Sequence, residues 1–333
     1  MFNDMIKDIL AAYGPSGREQ TVSDVIRGYV APFVDEVYSD ALGNLIAHKK
    51  GTSGKKLMLS AHMDQIGLIV TDIDENGFLR AMNVGGVGTT ISIARNVIFQ
   101  NGTHGVTYFE TEKKNITNAT LSEVFIDIGA ADREEAQSRV CIGDVAVYRT
   151  PVLEMGKRMV SGAMDNRICC AIIAQALSKI SSPHDIYAVF TVQEEVGCRG
   201  AGAAAYAIEP DLNINLDVTL TGDTPKAARM SVALGKGPAI KVMDSSLIVP
   251  LCVRNFMERV AKAHDITVQN EVLQAGGTDT SAIQRSRGGV LAGCISIPTR
   301  YVHSPVETVD LGDVNAAVSL LRALVAESEL PQA

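Results

Sequence analysis

Residues 185–200, DIYAVFTVQEEVGCRG, carry an unbroken apolar run into two adjacent carboxylates, Glu194 and Glu195, and then turn on Gly197 and Gly200. An apolar run of this length, bounded by glycine, predicts a strand. Residues 200–207 read as helix, so the stretch is a strand, a turn and a helix in sequence. The same alternation continues downstream: helix over 165–180, strand in LNINLDV, a long helix over 246–264, strand in TVQNEVL, helix over 278–284, strand in GGVLAGCISI and a final helix over 311–327. Such alternation predicts a sheet covered by helices on both faces.

Upstream, residues 2–12 and 19–29 read as helices around a Gly-Pro-Ser-Gly turn, followed by strands in EVYSD, NLIAHKK and KLMLSAH that need a partner sheet. Between them, residues 66–148 break into short β segments (GLIVTDI, FLRAMNV, NVIFQN, HGVTYF, EVFIDIG, VAVYRT), with one short helix over 132–138. The expected fold class is therefore α/β. A three-layer αβα catalytic domain with a mixed sheet, residues 1–65 and 159–333, is interrupted by a smaller all-β, barrel-like insertion at 66–158.

At 333 residues the chain suits about two domains. Apolar residues make up 46% and charged residues 20%, enough for buried cores and unlike a disordered chain. The net charge is −8 and the basic residues are scattered, so nucleic-acid and anionic-membrane partners have no electrostatic footprint. No apolar run approaches the roughly 20 residues of a membrane span. The first residues, MFNDMIKDILAAYG, suit an amphipathic helix and not a signal peptide, which gives a cytoplasmic expectation. The six cysteines form no CxxC pair and read as buried thiols.

The polar groups collect where strands end, which is where open α/β sheets bind ligands. KLMLSAHMD closes on His62 and Asp64, the opening stretch on Glu194 and Glu195, LNINLDV holds Asp217, GCISIPTRYVH leads to His303, and SGAMDNR puts Asp165 at a helix entrance. Singly, each has an ordinary explanation: Asp165 as a helix cap, His62 and His303 as hydrogen-bonded structural residues, paired Glu as solvated surface. Asp217 resists one, because a carboxylate closing an apolar strand must be paired or coordinated. A metal site explains all of them together. Two His and three carboxylates, one bridging, suffice for two divalent ions about 3.5–4 Å apart. Of Glu194 and Glu195, one can bind metal while the other takes a proton, and the residues alone leave open which. Asp64 suits an acceptor that fixes the His62 imidazole. His48, His104, His184 and His264 read as surface or structural. Gly197 and Gly200 read as sites of close backbone approach, and Thr278 and Asp279 as a pocket wall or helix cap.

SAHMDQIGLIV (60–70), SGAMDNRICCAII (161–173), VQEEVGCRGA (192–201), NLDVTLTGDTP (215–225), QAGGTDTSAIQ (274–284) and IPTRYVHSPVE (297–307) resemble, in order and spacing, the tetrahedral and glutamyl-aminopeptidase-like dinuclear metallo-aminopeptidases, metallopeptidase family forty-two. FIDIGAADREEA and CIGDVAVY carry the likeness through the insertion. The resemblance implies that His62, Asp165 and Asp217 hold one ion and that Asp165 bridges to a second, completed by Glu195 and His303. It implies Glu194 as general base and proton shuttle, with Asp64 orienting His62. It further implies two divalent ions (Zn, Co or Mn), short peptide substrates cut at the N-terminal residue, and a homo-oligomer from dimer to tetrahedral dodecamer built through the insertion. The chain departs from the family at Gln65, where an acid is common, and its 103–124 segment is abbreviated. A deacylase on the same scaffold and a silent oligomeric binding protein are the alternative readings.

Overall fold

The computed structural model describes residues 2–110 and 119–332, so part of the abbreviated 103–124 segment, 111–118, lies outside the described residues. An 11-stranded mixed sheet runs in the order Glu36–Ser39, Leu45–Lys49, Asp185–Thr191, Lys56–His62, Leu212–Thr219, Leu291–Arg300, Glu307–Asp310, Arg158–Ser161, Leu153–Met155, with Ala239–Met243 and Gln269–Val272 branching from Leu291–Arg300. Four central strands are parallel: Asp185–Thr191 on Lys56–His62, then Leu212–Thr219, then Leu291–Arg300. Their carboxyl ends therefore lie along one edge.

The two faces of these strands are both apolar and each is covered. Leu57, Leu59 and Ala61 pack with Leu212, Ile214 and Leu216 under helices Phe2–Ala11, Met164–Leu177, Leu251–Ala263 and Leu311–Ala326. The alternate residues Met58 and Val189 meet Ala201, Ala204, Ala205 and Ile208 of helix Arg199–Ile208, and Ile283 of helix Asp279–Gln284. Near-continuous hydrophobic strands are what a parallel sheet buried on both sides requires. The three-layer α/β fold class is as the sequence predicted. A second core, built on Leu68, Val70, Leu79, Val97, Phe99 and Ile126, fills a closed barrel of Gly67–Ile73, Leu79–Val84, Val124–Asp127, His104–Phe109, Arg95–Phe99 and Val145–Tyr148.

Three local expectations change. The helix expected over 246–264 begins at Leu251, because Pro250 disfavours helical backbone before it, and Val249 instead bonds back to Val242. Gly197 has φ +120 with open space around its Cα, so it serves a left-handed turn; Gly200 is the close approach, where a Cβ would lie 2.3 Å from Asn44 Oδ1. The cysteines are all free, but Cys141 is exposed and Cys198 and Cys252 are half-buried.

Arg167 ties the N-terminal helix to the sheet. Fully buried, it donates through Nε to Met63 O (3.1 Å), and through its two terminal nitrogens to Ile9, Leu10 and Ala12 carbonyls and to Gly14 O (3.1 Å). A cation at a helix C-terminus satisfies orphan carbonyls and complements the dipole. Arg167→Met removes those donors while keeping much of the volume, and unsatisfied buried carbonyls make the expected loss about 3 kcal/mol. Thermal or urea unfolding checks this; an unchanged midpoint would sink the assignment.

Candidate metal centre

His62, Asp165, Glu194, Glu195, Asp217 and His303 line one cavity of about 490 Å³ at the carboxyl edge of the sheet. Asp165 is its centre: its Oδ1 lies 3.1 Å from His62 Nε2 and its Oδ2 lies 3.3 Å from His303 Nε2. Glu195 Oε2 is 3.3 Å from the same His303 nitrogen, and Asp217 Oδ1 and Glu194 Oε2 are each 3.8 Å from His62 Nε2.

Both imidazoles are oriented by backbone. His62 Nδ1 lies 3.1 Å from Asp64 O and His303 Nδ1 lies 3.0 Å from Gly86 O. A carbonyl only accepts, so Nδ1 carries the hydrogen in each ring and Nε2 is turned to the cluster. The Gly86 contact is close enough that a Cβ there would sit 2.5 Å from His303 Nδ1. The His62 ring thus leans on the Asp64 carbonyl, while the Asp64 carboxylate, 3.4 Å from Nδ1, accepts from Ser16 Oγ (2.6 Å) and from the backbone N–H groups of Glu194 (3.0 Å) and Glu195 (3.2 Å).

The backbone leaves ordinary geometry where it presents these groups. Gln193, Cys198 and His303 have φ of +57, +53 and +61. Gln193 N–H donates to Glu19 Oε1 (3.1 Å), and His303 N–H to Glu307 Oε1 (2.7 Å). Asp165 is no helix cap: Ala163 holds the cap position, Asp165 has non-helical ψ of 105, its peptide to Asn166 is cis, and its N–H donates to Glu307 Oε2 (3.0 Å). Non-helical backbone frees the carboxylate to face the histidines. Left-handed non-glycine backbone also occurs away from the cluster, at Ala94, Glu209 and Asp265 among others, so what counts here is that these turns aim the side chains at one another. Thr278 stands at the cap position of its helix without a side-chain cap bond, and Thr191 Oγ1 bonds the buried Asp279.

The electrostatics leave room for cations. Burial, reinforced by Asp217, Asp279 and Glu195, pushes the Glu194 carboxyl well above its usual range against the pull of His62. Burial does the same to Asp217 and to Glu307. Burial opposes a charged His62, but Glu194, Asp165 and Asp64 outweigh it and hold its pKa well above the ordinary value; His303 is raised to about 12 by Asp165 and Glu195 against its own burial. Glu195 Oε1 is buried without a hydrogen-bond partner. Carboxylates this crowded, with two Nε2 atoms turned inward and an orphaned oxygen among them, fit divalent cations.

The cluster gathers all five ligand candidates named from sequence, with Glu194 and Asp64 beside them. Sequence reading missed Glu307, which holds both Asp165 and His303, and missed Ser16, Glu19 and Gly86. Glu307 closes the motif IPTRYVHSPVE, so its proximity to His303 was a usable signal; the other three belong to distant turns.

A cluster of carboxylates and imidazoles of this kind, at the carboxyl edge of a three-layer α/β sheet, is the class of site that metal-dependent hydrolases use. The model of the M42 glutamyl aminopeptidase family matches residues 43–320, and the chain belongs to that family. A relative from Acetivibrio thermocellus, whose name gives it aminopeptidase activity provisionally, is 48% identical over 96% of both chains. Lysyl aminopeptidase from Pyrococcus furiosus is 36% identical over 97% of this chain and 96% of its own. Among solved structures, an aminopeptidase from the archaeon Desulfurococcus kamchatkensis superposes with a TM-score of 0.95 at 37% identity, covering 98% of this chain and 95% of that one. The TET1 peptidase of Pyrococcus horikoshii, which assembles into a tetrahedron or a large octahedral shell, gives 0.87 at 31% identity over 98% and 100%. The chain is thus an aminopeptidase, which sets aside the deacylase and silent-binder readings.

Chelation of divalent cations is expected to lower the thermal midpoint and their return to restore it; an ion at about 1,000 times its Kd stabilises by about 4 kcal/mol. A midpoint indifferent to both treatments would count against the cluster as a metal centre.

Proposed function

We propose that the protein removes N-terminal residues from short peptides at two divalent ions, with His62, Asp165 and Asp217 holding one and Asp165, Glu195 and His303 the other. The observation that carries this is Asp165, whose two oxygens face Nε2 atoms of different histidines, each pinned through Nδ1 to a backbone carbonyl. Zn, Co and Mn all suit mixed imidazole and carboxylate ligands. Bound there, such ions supply Lewis acidity toward the scissile carbonyl and acidify water.

The remaining work falls to side chains. Glu194 is the proton acceptor and returns the proton to the leaving amine: its Oε1 is 3.3 Å from the Cys198 thiol that donates to it, and its backbone is fixed by Asp64. Asp64 is a positioning residue, joining the His62 loop to the turn that carries both glutamates. Among the described residues the cavity lining contains carboxylates but no Lys or Arg, and with the ions counted its charge is close to balanced, so a free α-amino group is selected by direct contact with an ion or a lining carboxylate, a contact that a blocked N-terminus lacks.

The same proposal includes the division into residues 1–65 and 159–333 as catalytic domain and 66–158 as insertion, with the difference that Leu153–Met155 pairs with Arg158–Ser161 and so extends the large sheet, while the last barrel strand is Val145–Tyr148. The barrel exposes Met82, Val106 and Tyr108, apolar side chains suited to contact between copies, and the Pyrococcus horikoshii neighbour assembles into shells. We therefore propose a homo-oligomer, from dimer to tetrahedral dodecamer, and a cytoplasmic location in keeping with six free thiols.

The test is hydrolysis of Leu-, Glu-, Lys- and Ala-p-nitroanilides beside their N-acetylated forms, with Zn, Co or Mn restored to stripped protein. Glu194→Gln is expected to lower kcat at least about 100-fold with metal content unchanged. Activity retained in that variant would remove Glu194 from its role; cleavage of acetylated substrates would remove the ammonium requirement.

A further inference from the structure

A second cavity, of about 440 Å³, continues from the one lined by the carboxylates and histidines across Leu220, Leu273 and Ala275, which line both. The sign of the charge changes at that step. Among the described residues, the first cavity has carboxylates and no Lys or Arg in its lining; the second has Arg229 and Arg300 and no carboxylate. Its other walls are uncharged, among them Met230, Val272, Thr224, Thr299 and the amide of Gln274.

The two guanidinium groups are not equivalent. Arg300 is spent on Asp223, to which it donates twice, through Nε to Oδ1 (2.9 Å) and through a terminal nitrogen to Oδ2 (2.7 Å). Asp223 is itself fixed by the Leu234 N–H (3.1 Å). Arg229 is exposed, lines the second cavity and makes no ion pair among the described residues. In a protein of net charge −8 an unpaired guanidinium facing a cavity beside the catalytic cluster is an anion receptor in waiting.

Resting on the aminopeptidase reading, we infer that Arg229 binds a carboxylate of the substrate, making the cleft bipolar: ammonium end toward the metal cluster, carboxylate in the second cavity. Two substrate groups offer that chemistry, the C-terminal carboxylate of a very short peptide and an acidic side chain. The apolar step at Leu220 and Leu273 separates the two charged regions, so a ligand bearing one charge of each sign meets both while a neutral one gains nothing from Arg229. Arg229 is thus a specificity-determining residue and stands outside the chemical step.

The experiment compares the metal-loaded wild type with Arg229→Gln and Arg229→Lys on three pairings. Leu-Ala-Ala against its C-terminal amide reads the main-chain carboxylate, Glu- against Gln-p-nitroanilide reads the side chain, and Leu- and Ala-p-nitroanilide report basal activity. In at least one of the first two pairings the carboxylate form is expected to have a KM about fivefold lower than its neutral partner, a preference that salt weakens, Gln abolishes and Lys partly restores, with kcat and neutral-substrate KM unchanged. The pairing that responds identifies the source. No carboxylate preference in either pairing, or one that survives Arg229→Gln, overturns the inference while leaving the peptidase reading intact. A wild type that cleaves neither neutral anilide nor any peptide overturns the peptidase reading and this inference with it.

Discussion

The rest of the structure is organised around one unfavourable fact: Asp165, Glu194, Glu195 and Asp217 are drawn together out of water with two imidazoles to balance them. Each buried carboxylate costs several kcal/mol without a counter-charge, and like charges at this spacing raise the cost further. The fold can hold them only from rigid elements that cannot relax apart. His62 and Asp217 ride on adjacent parallel strands buried on both faces, and Asp165 on the start of a helix whose following residues are almost all buried. Protein stability is thereby placed in opposition to site chemistry until cations enter, a trade that active sites commonly make.

A layer of hydrogen bonds behind the cluster shows how far that constraint reaches. Asp64 receives the N–H groups of both glutamates and the hydroxyl of Ser16, while Glu19 receives those of Gln193 and Gly17. The Gly-Pro-Ser-Gly turn is therefore part of the site's support, and Arg167 anchors it from below through Gly14 and Ala12. On the opposite side Gly86, lying between the barrel strands Leu79–Val84 and Arg95–Phe99, reaches back to His303, and a Cβ on neighbouring Gly85 would lie 3.0 Å from Glu195 Oε2. The insertion is coupled to the cluster by backbone, which no larger residue at Gly86 would permit.

Much of this was legible in the chain. Apolar runs that end on His62, Glu194 and Asp217 are hard to build without a metal, and the switch from short β segments to strand–helix alternation marks both layers of organisation. What escaped reading did so for physical reasons. Glu307 stands close to His303 in sequence, which hinted at that contact, but its contact with Asp165 spans 142 residues of sequence and is made through a backbone N–H that no side-chain pattern announces. Asp165 reads as a cap because it opens a helix; its non-helical ψ, set by tertiary contacts, removes that role. Ser16 and Gly86 look like ordinary turn residues, and only the folded chain gives them their neighbours.

The apolar step between the two cavities has a physical purpose beyond shape. A guanidinium brought among the carboxylates would compete with divalent ions for the same oxygens, and in a low-dielectric site that competition is strong. Asp217 lies near the end of the strand Leu212–Thr219, three residues before Leu220, and the chain then runs on to Arg229, so one continuous segment carries a carboxylate of the cluster, the divider and a guanidinium without an ion pair among the described residues. Asp223 removes Arg300 from the competition by a two-point pair, and Arg229 lines the second cavity and not the one that holds the carboxylates. Keeping the opposite charges apart preserves each for a ligand: were they allowed to meet, they would satisfy one another and leave the cleft with neither a metal site nor an anion site.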